Sequence, residues 1–253
     1  MNKLLLSLFC LAGLQQTALC EPTYYLIPTY ENAAETTVDF RLWSVKIPGD
    51  PRVSGTEVGI GHGVTRAWYT ELLIGYLHTP QTGTRRSDFA WQNDFLLTQG
   101  QYPFDLALHT TVRKYRAVSA GAAIEYFGEG GGLNLEFGPI LQTDFGRIQA
   151  NANLLFDRTY RTASAAPLQM KYQWQLKYRW TPILQPGLQG FGELGDWDHW
   201  APRHEQSHRV GPVIAGSLPL GTAQSLKYEA SYLTGSVFAE HAKTFSMRVQ
   251  YVF

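Results

Sequence analysis

Hydrophobic and polar residues alternate through much of this sequence, most clearly between residues 168 and 180. Leu, Met, Tyr and Trp occupy every second position from Leu168 to Trp180, and Gln, Lys and Arg occupy the positions between them. Successive side chains of a β-strand point to opposite faces, so this segment predicts a strand with one apolar face and one polar face. A helix would spread the same residues around its whole circumference.

The same alternation recurs along the chain and predicts twelve strands. They cover residues 36–46, 55–62, 66–77, 87–98, 103–114, 132–143, 146–158, 168–180, 184–195, 206–218, 223–235 and 243–253. Turn signals predict short connections near 63–65, 99–101, 144–146, 181–182 and 219–221, and longer ones near 48–51, 79–86, 114–131, 161–167 and 196–205. Short turns at one end and long loops at the other are typical of outer-membrane β-barrels.

A soluble antiparallel sandwich would alternate in the same way, so two architectures fit the pattern. Strands of this length suit a tilted crossing of a bilayer better than a globular sheet. The apolar faces also carry aromatic residues near strand ends, as interfacial girdles do; these are Trp43, Trp68, Trp91, Tyr178, Trp180 and Tyr251. The predicted fold class is therefore all-β, an antiparallel transmembrane β-barrel of about 12 strands. Since an open sheet edge cannot face lipid, residues 243–253 should pair with residues 36–46.

The first twenty residues predict export. Lys3 is followed by an apolar stretch from Leu4 to Leu14, which is too short to span a bilayer as a helix, and then by Ala18-Leu19-Cys20. We expect a signal peptide cleaved after Cys20; lipidation of Cys20 is the alternative, although Leu19 is bulkier than such signals use. The expected organisation is a signal peptide (1–20), a periplasmic N-terminal segment (21–35) and a barrel in the bacterial outer membrane (36–253).

Composition excludes several other classes of protein. Both cysteines, Cys10 and Cys20, belong to the predicted signal, which excludes a disulfide framework and a thiolate metal site from the mature chain. The chain carries 21 Lys and Arg against 21 Asp and Glu, so it lacks the basic surface that nucleic-acid binding needs. No cofactor is expected.

The final segment resembles the assembly signal of outer-membrane proteins. Its alternating apolar positions are Met247, Val249, Tyr251 and Phe253, with Arg248 where many such signals carry a small residue. The resemblance implies recognition by the barrel-assembly machinery and contact with outer-membrane lipid.

A narrower resemblance rests on four stretches of the chain. They are Phe-Leu-Leu-Thr-Gln-Gly-Gln-Tyr at 95–102, Leu-Glu-Phe-Gly-Pro at 135–139, Asn-Ala-Asn-Leu at 151–154 and Glu-Gln-Ser-His-Arg-Val-Gly-Pro at 205–212. These are similar to small proteobacterial outer-membrane proteins grouped as porins of a phenol-degradation (MetA-pathway) family. The resemblance implies a barrel and suggests an aromatic or other organic solute.

Residues 204–208 match the HExxH pattern of zinc proteases, whose two histidines share one face of a helix. Here Pro202 precedes the match and Gly211-Pro212 follows it, so the segment predicts a loop entering a strand. Two histidines four residues apart in a strand lie about 13 Å apart, too far for one zinc ion. We predict no metal site; His199, His204 and His208 are weak candidates for metal capture by a polar external loop.

The polar faces of the strands are the stronger functional lead, because they should line the barrel lumen. The predicted lumen-lining residues are Arg41, Glu71, Asp94, Asp105, His109, Arg113, Glu136, Asp157, Lys171, Lys177, Arg179, Glu193, Lys227, Glu229 and Arg248, and Asn151, Asn153 and Arg209 share their phase. Their mixed signs allow two interpretations. The charges either pair and fill a closed barrel, or they line a channel that selects solutes. Twelve strands give an intermediate width that decides neither way.

A barrel-embedded hydrolase is the enzymatic alternative. His109 and Thr111 form a base–hydroxyl pair on one face, but Asp105 and Arg113 on the same face indicate an ordinary charge ladder. We therefore assign no catalytic residue. The preferred hypothesis is a non-enzymatic pore for passive uptake of a small solute, with a closed structural or metal-associated barrel as the alternative.

Overall fold

The computed structural model describes residues 24–29, 34–116, 131–160, 166–237 and 240–253. The predicted signal peptide and most of the predicted loop 114–131 lie outside these ranges. The described residues form the strands β1 (Thr36–Lys46), β2 (Val53–Thr65), β3 (Trp68–Thr79), β4 (Gly83–Leu96), β5 (Asp105–Tyr115), β6 (Gly132–Phe145), β7 (Ile148–Tyr160), β8 (Gln169–Tyr178), β9 (Gln185–Asp196), β10 (His199–Trp200), β11 (Ser207–Pro219), β12 (Ser225–Val237) and β13 (Glu240–Val252). Among them, no helix is long and apolar enough to cross a membrane.

Twelve of these strands close into one antiparallel barrel, as predicted. Each pairs with the next along the chain, β9 pairs with both β8 and β11, and β13 returns to β1. The closing register runs from Thr37↔Val252 to Lys46↔Lys243, which confirms the predicted pairing of the first and last strands. The two-residue β10 pairs only with the end of β9, outside the barrel wall.

The two faces of the wall differ in polarity. Large apolar side chains on the outer face are exposed, for example Ile60 at 57%, Trp91 at 47% and Leu188 at 51%. Inner positions are buried and polar, such as Gln173 and Gln175 on β8. A continuous apolar exterior of this kind is a lipid-facing belt, because a protein surrounded by water would bury these side chains.

Trp43 departs from the prediction that it belongs to the outer aromatic girdle. Its side chain points into the barrel and is only 6% exposed. Gly55 lies directly opposite on β2, and a Cβ atom there would overlap the Trp43 indole. The missing side chain at Gly55 is thus what allows an indole to lie against the inner wall.

The barrel has a turn end, where β1 begins and β13 ends, and a loop end opposite. Two-residue turns at the turn end connect Thr65 to Trp68 and Phe145 to Ile148. Gly146 has a φ of 61° at the first central position of its turn, as a type II′ hairpin requires. At the loop end, β5, β7 and β9 end and β6, β8 and β11 begin.

Two predicted connection lengths were wrong. A long connection was expected at 79–86, but the observed connection covers only residues 80–82, because β3 and β4 are paired up to Thr79 and Gly83. The expected short turn at 99–101 is part of a longer connection at 97–104.

Candidate functional site

The chain ahead of β1 lies inside the barrel. Tyr24 is 5% exposed and Thr29 is 2% exposed, and the Tyr24 ring stacks on the inward-facing Trp43 with centroids 4.2 Å apart and planes 7° apart. The sequence placed residues 21–35 in the periplasm. The described part, residues 24–29, instead occupies the lumen, where its aromatic and aliphatic side chains leave water.

The backbone of this segment is held by amide side chains of the wall. The amide N–H of Ile27 donates to Oε1 of Gln173 at 3.0 Å, and Nδ2 of Asn153 donates to the carbonyl of Ile27 at 2.8 Å. Asn153 also donates to Gln173 at 2.9 Å, which fixes both amides on β7 and β8. Buried backbone groups need such partners once water is excluded, so residues 24–29, here called the lumen segment, have a specific binding site.

The N-terminal end of the lumen segment, at Tyr24, lies in an apolar cluster at the loop end of the barrel. Tyr24 packs there with side chains from five strands and from the β1–β2 connection, and Tyr25 lies against the same cluster. The cluster comprises Tyr24, Trp43, Val45, Ile47, Val53, Leu77, Val237 and Ala242. An apolar cluster around an inserted ring closes this part of the lumen to water.

The turn end of the lumen is more open. Two cavities of about 430 Å³ each lie there, one reaching Thr29 and the other reaching Pro28. Further in, a cavity of about 100 Å³ lies beside residues 24–28. The lumen segment therefore borders two larger cavities at the turn end and a smaller one deeper in the lumen.

Charged residues near the closing seam of the barrel, where β1 pairs with β13, form ion pairs with one another along the wall. Oδ2 of the buried Asp39 accepts hydrogen bonds from Arg41 at 3.0 Å and from Arg248 at 2.7 Å. Arg41 also reaches Glu71 on β3 at 2.5 Å. Arg113 on β5 continues the network, with Nη1 2.7 Å from Glu57 and 2.5 Å from Asp88.

A second network centres on His109. Its Nδ1 lies 2.6 Å from Oδ1 of Asp94, and its Nε2 lies 2.9 Å from Oγ1 of Thr111 and 3.5 Å from Oε1 of Glu136. Glu136 is also held by Lys171 at 3.1 Å. Carboxylate, imidazole and hydroxyl thus lie in the order of a hydrolase triad, with a second carboxylate competing for the nitrogen that would act as the base.

Most of these pairs join strands that are neighbours or next neighbours in the sheet. Lys171 on β8, for example, contacts Asp157 on β7 at 3.0 Å and Glu136 on β6. Most of the described charged side chains are therefore paired close to the inner surface of the wall. The lumen segment lies between opposite sides of that wall.

The remaining predicted lumen residues lie towards the turn end or beside the lumen segment. Lys177, Lys227 and Glu229 line one of the two large cavities. Arg179 pairs with Asp144 at 2.6 Å at the rim, with a side chain 38% exposed. Asp105 accepts a hydrogen bond from the Gly100 amide at 2.6 Å in the β4–β5 connection. Glu193 pairs with Arg209 at 2.6 Å in the interior.

Sequence reasoning missed several lumen residues that carry the networks. Asp39 lies two positions from Arg41, and Asp88 lies an even number of positions from Asp94, so strand periodicity contains the signal for both. Glu57 is harder to recognise, because Gly55 and Gly59 flank it on the inner face and hide the polar alternation of β2.

The HExxH match does not form a metal site. The His204 side chain is 80% exposed, whereas both ring nitrogens of His208 have partners, Tyr172 at 2.9 Å and Gln206 at 2.8 Å. His199 lies exposed on β10. Within the described ranges, no three His, Cys, Asp or Glu side chains are grouped as metal ligands would be.

A closed antiparallel barrel with an apolar outer belt and a polar interior is a bacterial outer-membrane β-barrel. The turn end then faces the periplasm, since these barrels have short turns on that side. No family model matches the chain, and no curated protein is similar to it in sequence. The specific resemblance to a phenol-degradation family therefore stays a prediction.

Solved structures share the fold at low sequence identity. The COG4313 outer membrane channel from Pseudomonas putida F1 has a TM-score of 0.60 and 9% identity, over 90% of this chain and 99% of that chain. The KdgM porin in complex with disordered oligogalacturonate has a TM-score of 0.52 and 9% identity, over 86% and 99%. The beta domain of the Bordetella autotransporter BrkA has a TM-score of 0.51 and 14% identity, over 88% and 99%.

Proposed function

We propose that this barrel is a passive outer-membrane channel for a small solute, closed in the present state by the lumen segment. The observation that carries the proposal is the peptide bound between Gln173, Asn153 and Trp43 inside the lumen. In the closed structural alternative, the charged side chains of the wall would pair with one another and fill the interior by themselves. Here the charged side chains of the wall pair mostly with charges on neighbouring or next-neighbouring strands and not across the lumen. Departure of the segment would therefore leave a passage.

The contacts that hold the lumen segment are weak enough for the segment to leave the lumen and return to it. Each of the two hydrogen bonds to Ile27 contributes about 1 kcal/mol net. Ordering the segment costs about 1–2 kcal/mol for each residue and opposes the gain from burying its side chains. Closure is therefore the balance of small opposing contributions, and a solute that binds only the open state can shift it.

An aromatic or other organic solute is the finer part of the proposal. It is supported by the four stretches similar to the phenol-degradation family and by the inward-facing Trp43 of the wall, on which the Tyr24 ring stacks in the closed state. We also expect the barrel-assembly machinery to recognise the run ending at Phe253, whose ring stacks with Tyr251 at 5.3 Å.

A barrel-embedded hydrolase is the second candidate, favoured by the Asp94–His109–Thr111 geometry. Three features argue against a hydrolase. The Thr111 side chain is only 7% exposed, and the Thr111 backbone is paired on both sides, by β4 and by β6. Glu136 also contacts the His109 nitrogen that would have to activate the Thr111 hydroxyl. A paired backbone leaves no main-chain N–H for an oxyanion hole, so we prefer the non-enzymatic channel.

Single-channel recording in planar bilayers tests the channel proposal. The wild-type protein should be closed for most of the recording, and a variant lacking residues 24–29 should conduct steadily. Asn153→Ala combined with Gln173→Ala should raise the open probability without removing any chain. Tyr102→Ala, at a 60% exposed position of the β4–β5 connection, is the matched control.

Folding of each variant is checked by circular dichroism and by heat-modifiable migration on gels. A deletion variant that is folded but conducts no better than the wild type would show that wall side chains alone block the lumen, and would overturn the proposal.

A further inference from the structure

The Tyr24 ring occupies a site built from two residues on well-separated strands. Trp43 of β1 stacks on the ring at 4.2 Å, and the guanidinium of Arg209 on β11 lies over it at 5.3 Å from the centroid. Arg209 is 2% exposed and also lies over the Phe191 ring at 5.9 Å. A buried cation and an indole around one aromatic ring are the elements of an aromatic-binding subsite.

Arg209 retains hydrogen-bonding capacity at this site. Its Nη2 donates to Glu193 at 2.6 Å, which balances its charge. Its Nε and Nη1 groups are buried, and within the described part of the chain they make no hydrogen bond. A guanidinium offers five N–H donors, and buried donors without acceptors are costly. The guanidinium beside the ring site therefore has N–H donors available for an oxygen acceptor.

We propose that the space vacated by Tyr24 is a binding subsite for monocyclic aromatic solutes that carry an oxygen acceptor, with the ring on Trp43 and the oxygen on Arg209. The inference rests on the proposed function, because the subsite opens only when the lumen segment leaves. Tyr24, a ring with a hydroxyl group, acts as a built-in competitor of the solute. Arg209 and Trp43 are then specificity-determining residues of the channel.

Direct binding of fluorinated probes tests the subsite independently of conductance. ¹⁹F NMR would follow 4-fluorophenol, 4-fluorobenzoate and fluorobenzene added to purified protein in micelles, with empty micelles correcting for partition. The Tyr24→Ala variant should bind the better of the two oxygenated probes about tenfold more tightly than the wild type does. Fluorobenzene should bind about tenfold more weakly than that probe.

Substitutions in the subsite should remove this preference. In the Tyr24→Ala background, Trp43→Leu should weaken binding of the oxygenated probe about tenfold. Arg209→Gln combined with Glu193→Gln, which avoids an unpaired buried carboxylate, should make the oxygenated probe and fluorobenzene bind alike. Trp91→Leu, on the outer face, is the matched control and should change nothing.

The outcomes separate this inference from the channel proposal. A conducting deletion variant that shows no Trp43-dependent binding overturns the subsite and leaves the channel. Trp43-dependent binding in a variant that never conducts overturns the channel and leaves the subsite. Equal affinity for all three probes overturns the role of Arg209.

Discussion

Arg248 on the last strand and Asp39 on the first form an ion pair across the closing seam of the barrel, with Nη2 2.6 Å from Oδ2. Asp39 is fully buried and is shared with Arg41. One carboxylate therefore binds two guanidinium groups on the two strands that complete the wall, next to a backbone register that pairs Asp39 with Gln250.

Asp39→Asn should destabilise the barrel by about 3 kcal/mol, because it leaves two buried cations without their shared anion. Urea unfolding in detergent micelles, followed by tryptophan fluorescence, measures the loss. Asp144→Asn is the control, since it removes the rim pair with Arg179, whose side chains are 38% and 43% exposed, and should cost less than about 1 kcal/mol. Equal losses for both variants would contradict a special role of the seam.

Gly55→Ala should displace Trp43, because the added Cβ would overlap its indole. Overpacking of this kind costs about 1–3 kcal/mol, and the altered indole should also weaken the stack with Tyr24 and raise the open probability. Gly221→Ala is the control, since its Cβ would lie 3.8 Å from the nearest atom. Unfolding curves of the two variants measure the loss of stability, and single-channel recordings measure the open probability. An unchanged open probability for Gly55→Ala would argue that Trp43 has no part in closure.

His109→Ala separates the hydrolase hypothesis from a structural role of the second network. We expect no ester hydrolysis above buffer with p-nitrophenyl esters, for either the wild type or the variant. Stability should fall by about 3 kcal/mol, because Asp94 and Glu136 lose a shared buried partner. Wild-type hydrolysis that disappears in both His109→Ala and Thr111→Val would instead support catalysis.

Added Zn²⁺ should leave the melting temperature of the purified protein unchanged. A ligand that binds only the folded state raises stability with its concentration, and His204 and His208 do not point to a common site. His208→Ala should cost about 1 kcal/mol through loss of its hydrogen bonds to Tyr172 and Gln206. A zinc-dependent rise in melting temperature that His208→Ala removes would show that the external loop does capture metal.

Strand number and pairing could be predicted because alternation is local. The residues from Leu168 to Trp180 reveal both faces of β8 without reference to any other part of the chain. Trp43 could not be assigned from its own strand, since its inward position depends on the absence of a side chain at Gly55 on the next one.

The lumen segment could not be predicted for a related reason. Residues 24–29 show no periodicity, and their position depends on contacts such as Ile27 with Gln173, which is 146 residues away along the chain. The wall residues that hold the segment were visible only as inward-facing amides. Nothing local distinguishes an amide that binds a peptide from one that binds water.

The attachment of Tyr24 to the barrel has a consequence for how uptake would depend on concentration. A tethered group competes for its site at an effective concentration on the order of millimolar, whatever the composition of the surrounding medium. A solute far below that level, with an affinity no better than that of the ring, would leave the passage shut. Uptake would then rise gradually with solute concentration and become appreciable only near the millimolar range, which limits leakage across the outer membrane when the solute is scarce.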